Sequence, residues 1–219
     1  MRIREAILFK LGPLVVDGTS GQATLVLAVF ASGNAHVQPL IIFRAKERYD
    51  TPRSHHLQIK REAEMARYDP HVSVRWNESA YANASDLIDW INELLVPALP
   101  PGPHMLVLHV AKFHSTAEVL NTLISHDIIP SMVPGGCTGL VQPLDISVNQ
   151  PFKNIFRNLL DDARDTYEKQ HQLSLWELLQ SNLVAIAEWR ILVTWAVCEA
   201  GERFCLKHND LVINTFRKL

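Results

Sequence analysis

Two apolar, β-rich runs stand out along the chain: Ala23 to Phe30, reading ATLVLAVF, and Val37 to Phe43, reading VQPLIIF. Between them lie the turn formers Ser32, Gly33 and Asn34, so the pair predicts a β-hairpin. Their apolarity is nearly continuous rather than alternating, which is the pattern of strands covered on both faces in the central sheet of an α/β domain; a sandwich core would carry a similar pair. Residues Val72 to Trp76 alternate as a further short strand. Ser85 then caps a helix with Leu87, Ile88, Ile91, Leu94 and Leu95 on one face, and the Pro-rich stretch Pro97 to Pro103 ends it. Met105 to Val110 reads as a buried strand, Thr116 to Ser125 as a helix and Ile128 to Val133 as another strand, the order of a βαβ crossover with a parallel pair.

After the loop Pro134 to Gln142, a helix carries Val148, Phe152, Ile155, Phe156 and Leu159, with Pro151 tolerable only in its first turn. A second helical region spans about Leu173 to Cys198 and contains Trp176, Trp189 and Trp195. Its all-round apolarity after Val184 predicts burial against the sheet or against a partner. The segment Arg44 to Arg67 is net positive with little apolar periodicity, so it reads as an exposed loop or insertion, and such a segment is also where phosphates would be held.

The chain has 219 residues, 47% of them apolar, enough to fill a sizeable core. Its 21 Lys plus Arg nearly balance 23 Asp plus Glu, so any contact with nucleic acid must come from local patches. Three unevenly spaced cysteines, Cys137, Cys198 and Cys205, suggest no disulfide framework and no zinc knuckle, and fit a reducing compartment. The longest apolar runs fall far short of the roughly 20 residues that span a bilayer, and the first residues lack a signal-peptide pattern, so no membrane partner is expected. The glycines at 135, 136 and 139 lack the Lys-Ser/Thr ending of a phosphate-cradling P-loop.

Taken together, the elements follow the β-β-β-α-β-α-β-α order of RNase H-like nucleases. The stretch Val133-Pro134-Gly135-Gly136-Cys137-Thr138-Gly139-Leu140-Val141-Gln142-Pro143-Leu144-Asp145, continuing through Val148-Asn149 to Pro151-Phe152-Lys153, resembles the signature of pogo/Tigger-type DDE transposases. Further matching pieces are Pro39 to Phe43, Arg67-Tyr68-Asp69-Pro70, Trp76-Asn77 to Tyr81-Ala82-Asn83, Ala111 to His114, and Ile213 to Lys218. The resemblance implies an α/β fold of RNase H type: a mixed sheet flanked by helices over residues 22–168, a helical C-terminal extension over 169–219, and a divergent segment 1–21 in which the first strand is either lost or ends in Asp17.

What the family implies chemically is a nuclease and strand-transfer site in which three carboxylates hold two divalent ions, Mg²⁺ by ancestry, to cut DNA in the nucleus. Asp145 matches the third acidic position and is the expected metal ligand. The second position should be an Asp at the end of the strand before Ala111-Lys112-Phe113-His114; here it is His109. Imidazole is a poor Mg²⁺ ligand, so the substitution removes a negative charge where two dications must sit and implies that the magnesium site is degraded. The first acid belongs to an Asp-Glu pair upstream of the hairpin, which nothing before Gln22 reproduces; Asp17 is the one stand-in. Arg44, Lys46, Arg48, Lys112 and Lys153 are the candidate DNA-backbone contacts, and no basic recognition helix is visible. The C-terminal helices are the candidate surface for self-association or a protein partner.

Overall fold

The computed structural model describes residues 5–14, 23–33, 37–44, 61–109, 112–133, 148–172, 174 and 183–217. The two apolar runs pair antiparallel as β2 (Ala23–Phe30) and β3 (Leu40–Arg44), in a register from Ala23 opposite Phe43 to Val26 opposite Leu40. The strand β3 starts three residues later than its apolar run because Pro39 has no N–H to give the ladder; its carbonyl accepts from the Ser73 amide at 2.9 Å instead. At the turn, Gly33 has φ 85° and donates its N–H to Phe30 O at 2.8 Å. A side chain there is excluded twice over, since a Cβ would fall 1.6 Å from Asn209 Oδ1.

The sequence expectation that the sheet lacks its first strand is corrected. Glu5–Leu14 forms β1, antiparallel to β2 over Ile7 to Leu14 and parallel to β5 (His104–His109) over Glu5 to Leu8. The segment hides its strand character because Gly12 and Pro13 interrupt it. The structure accommodates them where β1 has run past the end of β5 and is paired on one edge only, the place where a missing proline donor is tolerated. With β4 (Ser73–Asn77) and β6 (Ile128–Val133), the order is β4-β3-β2-β1-β5-β6, and every strand but β2 runs in one direction.

Helices cover both faces, which is why the strand sequences do not alternate. On one face Val26, Ala28, Phe30, Leu40 and Ile42 pack with Leu106 and Leu108 against α1 (Ala84–Trp90) and α2 (Ala117–Ser125). On the other, Leu25, Ile41, Phe43 and Val107 pack against α3 (Gln150–His171) and α4 (Leu183–Phe216). Two helix starts are instructive. The cap of α1 is Asn83 and not Ser85: the Asn83 side chain accepts from the Asp86 amide at 3.0 Å while Asp86 accepts from the Asn83 amide at 3.1 Å, a closed capping box. Pro151 does lie in the first turn of α3. After α1 the chain continues as a π-turn, Ile91–Leu95, ahead of Pro97, whose ring and missing N–H disfavour an ordinary turn.

The long helix α4 extends 18 residues past Cys198 to Phe216, with a non-helical residue at His208. Burial is not all-round: Trp189 is 6% exposed but Trp195 is 52% exposed. Among the described residues, no helix is long and apolar enough to cross a membrane.

The part of the basic segment that is described, residues 61–67, is largely exposed but not a simple loop. Residues 61–65 form a helical turn that carries the buried Glu64. Arg190 of α4 clasps that carboxylate, Nε to Oε1 at 2.5 Å and NH2 to Oε2 at 2.6 Å, and the Tyr68 hydroxyl donates to the same group. Burial alone would lower the Arg190 pKa; the hydrogen bonds and charge of Glu64 outweigh it and raise the pKa above the ordinary value. Burial and then Glu64 push the Tyr68 phenol well above its usual range. The Arg190 and Arg61 guanidinium groups lie 4.8 and 4.6 Å from the Trp76 ring centroid, so the strand edge at β4 is locked to α4 through an aromatic spacer. Glu64→Gln should therefore lose about 3 kcal/mol in a urea unfolding titration, the scale for breaking a buried pair. Glu188→Gln, which breaks the ion pair with the 55%-exposed Arg67, should lose less than about 1 kcal/mol in the same titration. Equal losses would contradict this division.

Candidate functional site

His109 is the last residue of β5 and pairs with Val133 of the parallel neighbour β6. On the other side, the β1 register runs from Glu5 opposite His104 to Leu8 opposite Val107. The pairing of β1 with β5 ends there, and Lys10 and His109 lie beyond it. Residue 109 is in phase with Met105 and Val107, whose side chains belong to the core on the α3 and α4 side. The one carboxylate of β1, Glu5, is opposite His104, about 16 Å back along the strand at 3.3 Å per residue.

Asp145 and Asp17 lie outside the described residues, as do Lys46 and Arg48. The strand β1 ends at Leu14, beyond the end of β5, and Val148 is buried in the α3-side core. Of the other basic residues, Lys112 is exposed just after β5 and Lys153 is half-buried in the first turn of α3. Arg44 closes β3 and its Nε donates to Glu78 O at 3.2 Å. It is three strands from β5, about 14 Å across the sheet, so Arg44 and Lys112 do not form one patch around His109.

One grouping was not legible from spacing. Asp69, just before β4, His71 and Cys198 of α4 bring one donor atom each to within 4.8 Å of one another. The Asp69 carboxylate is buried and its Oδ1 accepts from the His71 amide at 2.8 Å, with His71 Nδ1 at 3.3 Å. The Asp69 amide donates to Thr194 Oγ1 at 3.1 Å, fixing the loop to α4. Burial, and next its hydrogen bond to Asp69, push the Cys198 thiol up to about 12. The only sequence signal was an Asp-x-His triplet, which is too short to be informative.

The family model for the DDE superfamily endonucleases matches residues 20–194, about four-fifths of the chain. The chain belongs to that family. A human relative, "Pogo transposable element with ZNF domain", is 28% identical to this DDE endonuclease domain over 143 residues, which is 64% of this chain and 9% of the relative. The chain thus spans under a tenth of the length of that relative, and the resemblance read from residues 133–153 to the pogo-like DDE endonucleases is borne out. The matched interval begins after β1, the strand whose sequence departs from the expected first-acid pattern.

Endonucleases of this superfamily are typically dependent on divalent metal. The sequence puts a histidine, a poor magnesium ligand, at the last position of β5. If His109 occupies the second-acid position, His109→Asp should raise Mn²⁺ affinity at least about tenfold in isothermal titration, the equivalent of 1.4 kcal/mol. No gain would remove that assignment.

Proposed function

We propose that this DDE endonuclease domain descends from an enzyme that cut and joined DNA strands with two divalent ions, and that its own catalysis is impaired. The observation that carries this reading is His109 as the last residue of β5, where the resemblance to the family expects an acid. Ligands in open α/β sheets gather at such strand ends. Three carboxylates facing one another repel, and two dications relieve that repulsion; replacing one of them by a group that is neutral or cationic weakens the field a dication meets. On this reading Asp145 is the surviving acid of the three, and Asp17 the stand-in that would have to supply a second.

The strand order supports an RNase H-like reading of the mixed α/β fold. Strands β3-β2-β1-β5-β6 form a block in which only β2 is antiparallel, and β4 is an added parallel strand on the β3 edge. DNA is the partner this family membership favours, and the pogo-like relative supports a nuclear setting. With a formal net charge of −2, the domain has no global attraction for phosphate, so binding through Arg44, Lys46, Arg48, Lys112 and Lys153 is weak and falls steeply with salt.

A supercoiled-plasmid nicking assay in Mg²⁺ and in Mn²⁺, with filter binding at low and physiological salt, tests both halves. The expected result is nicking no faster than that of Asp145→Ala, together with DNA retention that is lost as salt rises. Nicking that Asp145→Ala abolishes would overturn the impaired reading; no retention at low salt would remove DNA as a partner.

A further inference from the structure

The grouping of Asp69, His71 and Cys198 lies away from the strand ends that define the family's site. His71 immediately precedes the edge strand region of β4, and β4 is four strands from β5, about 19 Å across the sheet. The three side chains bring a carboxylate oxygen, an imidazole nitrogen and a sulfur to one point. Such a mixed set is a poor match to magnesium, which takes oxygen ligands, and a good one to zinc, which takes all three donor types.

The distances suit this chemistry. Two nitrogen or oxygen ligands on tetrahedral zinc, each bonded at about 2.0–2.1 Å, lie about 3.3 Å apart. Asp69 Oδ1 and His71 Nδ1 are separated by 3.3 Å. The whole set spans no more than 4.8 Å, so only a small side-chain adjustment is needed to bring the sulfur in, and the exposed His71 ring is free to make it. The other two donors are held from behind. Asp69 is buried and its amide is tied to Thr194 on α4, one turn before Cys198. His71 and Cys198 also line a cavity of about 630 Å³ whose wall includes Glu202, one turn further along α4.

We infer that Asp69, His71 and Cys198 form a zinc-binding site that clips the segment before β4 to helix α4, with its fourth coordination position open to this cavity. On binding, the Cys198 S–H bond is broken, its proton goes to solvent, and the sulfur's electron pair is donated to the ion, with no redox change. Zinc enters as a cross-link between two parts of the chain that are otherwise joined by hydrogen bonds and ion pairs, so it adds to the stability of the folded form by mass action. The inference does not rest on the proposed nuclease ancestry, because none of the three residues belongs to the acidic triad.

The test is titration of the purified chain with Zn²⁺ by calorimetry and with Co²⁺ by absorbance, since thiolate ligation to cobalt produces a near-ultraviolet charge-transfer band. The expected result is one equivalent bound, a thiolate band, a rise in melting temperature with Zn²⁺, and no response to Mg²⁺ at this site. Cys198→Ser should abolish the band. His71→Gln should weaken Zn²⁺ at least about tenfold, the lower end of what outer-sphere losses alone produce. Cys205→Ser, which removes the other described thiol on α4, should leave both unchanged. Absence of saturable binding, a band that survives Cys198→Ser, or a band that Cys205→Ser removes instead would overturn the site. Should Cys198→Ser fail to fold, His71→Gln decides, because its exposed ring is dispensable for packing: an unchanged Zn²⁺ affinity in that variant overturns the inference.

Discussion

The backbone hydrogen bonds that β1 makes along both of its edges join two groups of strands that no other strand connects. On one side lie β2, β3 and β4, on the other β5 and β6. A strand paired on both edges has its register fixed twice, and a slip of one residue would turn its whole apolar set to the other face. That double constraint, on Ile7 and Leu8, is also what allows the two helical layers to find continuous apolar surfaces to cover.

A second constraint holds the C-terminal helix. Five polar links tie residues 64–69 to α4: Glu64 to Arg190, Arg67 to Glu188, the Arg67 carbonyl to Trp195 Nε1, the Asp69 amide to Thr194 and the Asp69 carboxylate to Cys198. Buried ion pairs add little net stability, since desolvation offsets much of their attraction, but breaking one partner leaves an uncompensated buried charge. The apolar contacts of Trp189, Val193, Val197 and Phe204 supply the driving force and the polar links select the position.

Much of the sheet was legible because its strands are strongly patterned. Ala23 to Phe30, Ile128 to Val133 and the helix capped by Thr116 carry apolar periodicity and turn or cap residues that agree with one another, and the structure shows each where the pattern puts it. The strand β1 was harder because Lys10, Gly12 and Pro13 argue locally against a strand; pairing with β2 from Ile7 to Leu14 overrides them, and that is a tertiary effect. The extra length of α4 was hidden by Gly201 and by the polar run Glu199 to Arg203, which reads as a helix end although the helix continues through it. The motif around Asp145 revealed the family through its order of residues, not through periodicity. By contrast, the Asp69, His71 and Cys198 grouping is made by folding alone, between two segments over a hundred residues apart in sequence.

Paired magnesium requires oxygen-rich negative charge, whereas the mixed donors of Asp69, His71 and Cys198 suit zinc. The central claim concerns the first. A crystal of this chain soaked in Mn²⁺ and measured at an anomalous-scattering wavelength locates bound ions without relying on activity. The account predicts no pair of manganese peaks at the carboxyl end of β5. Two peaks about 3.5–4 Å apart, bridged by Asp145, would contradict it.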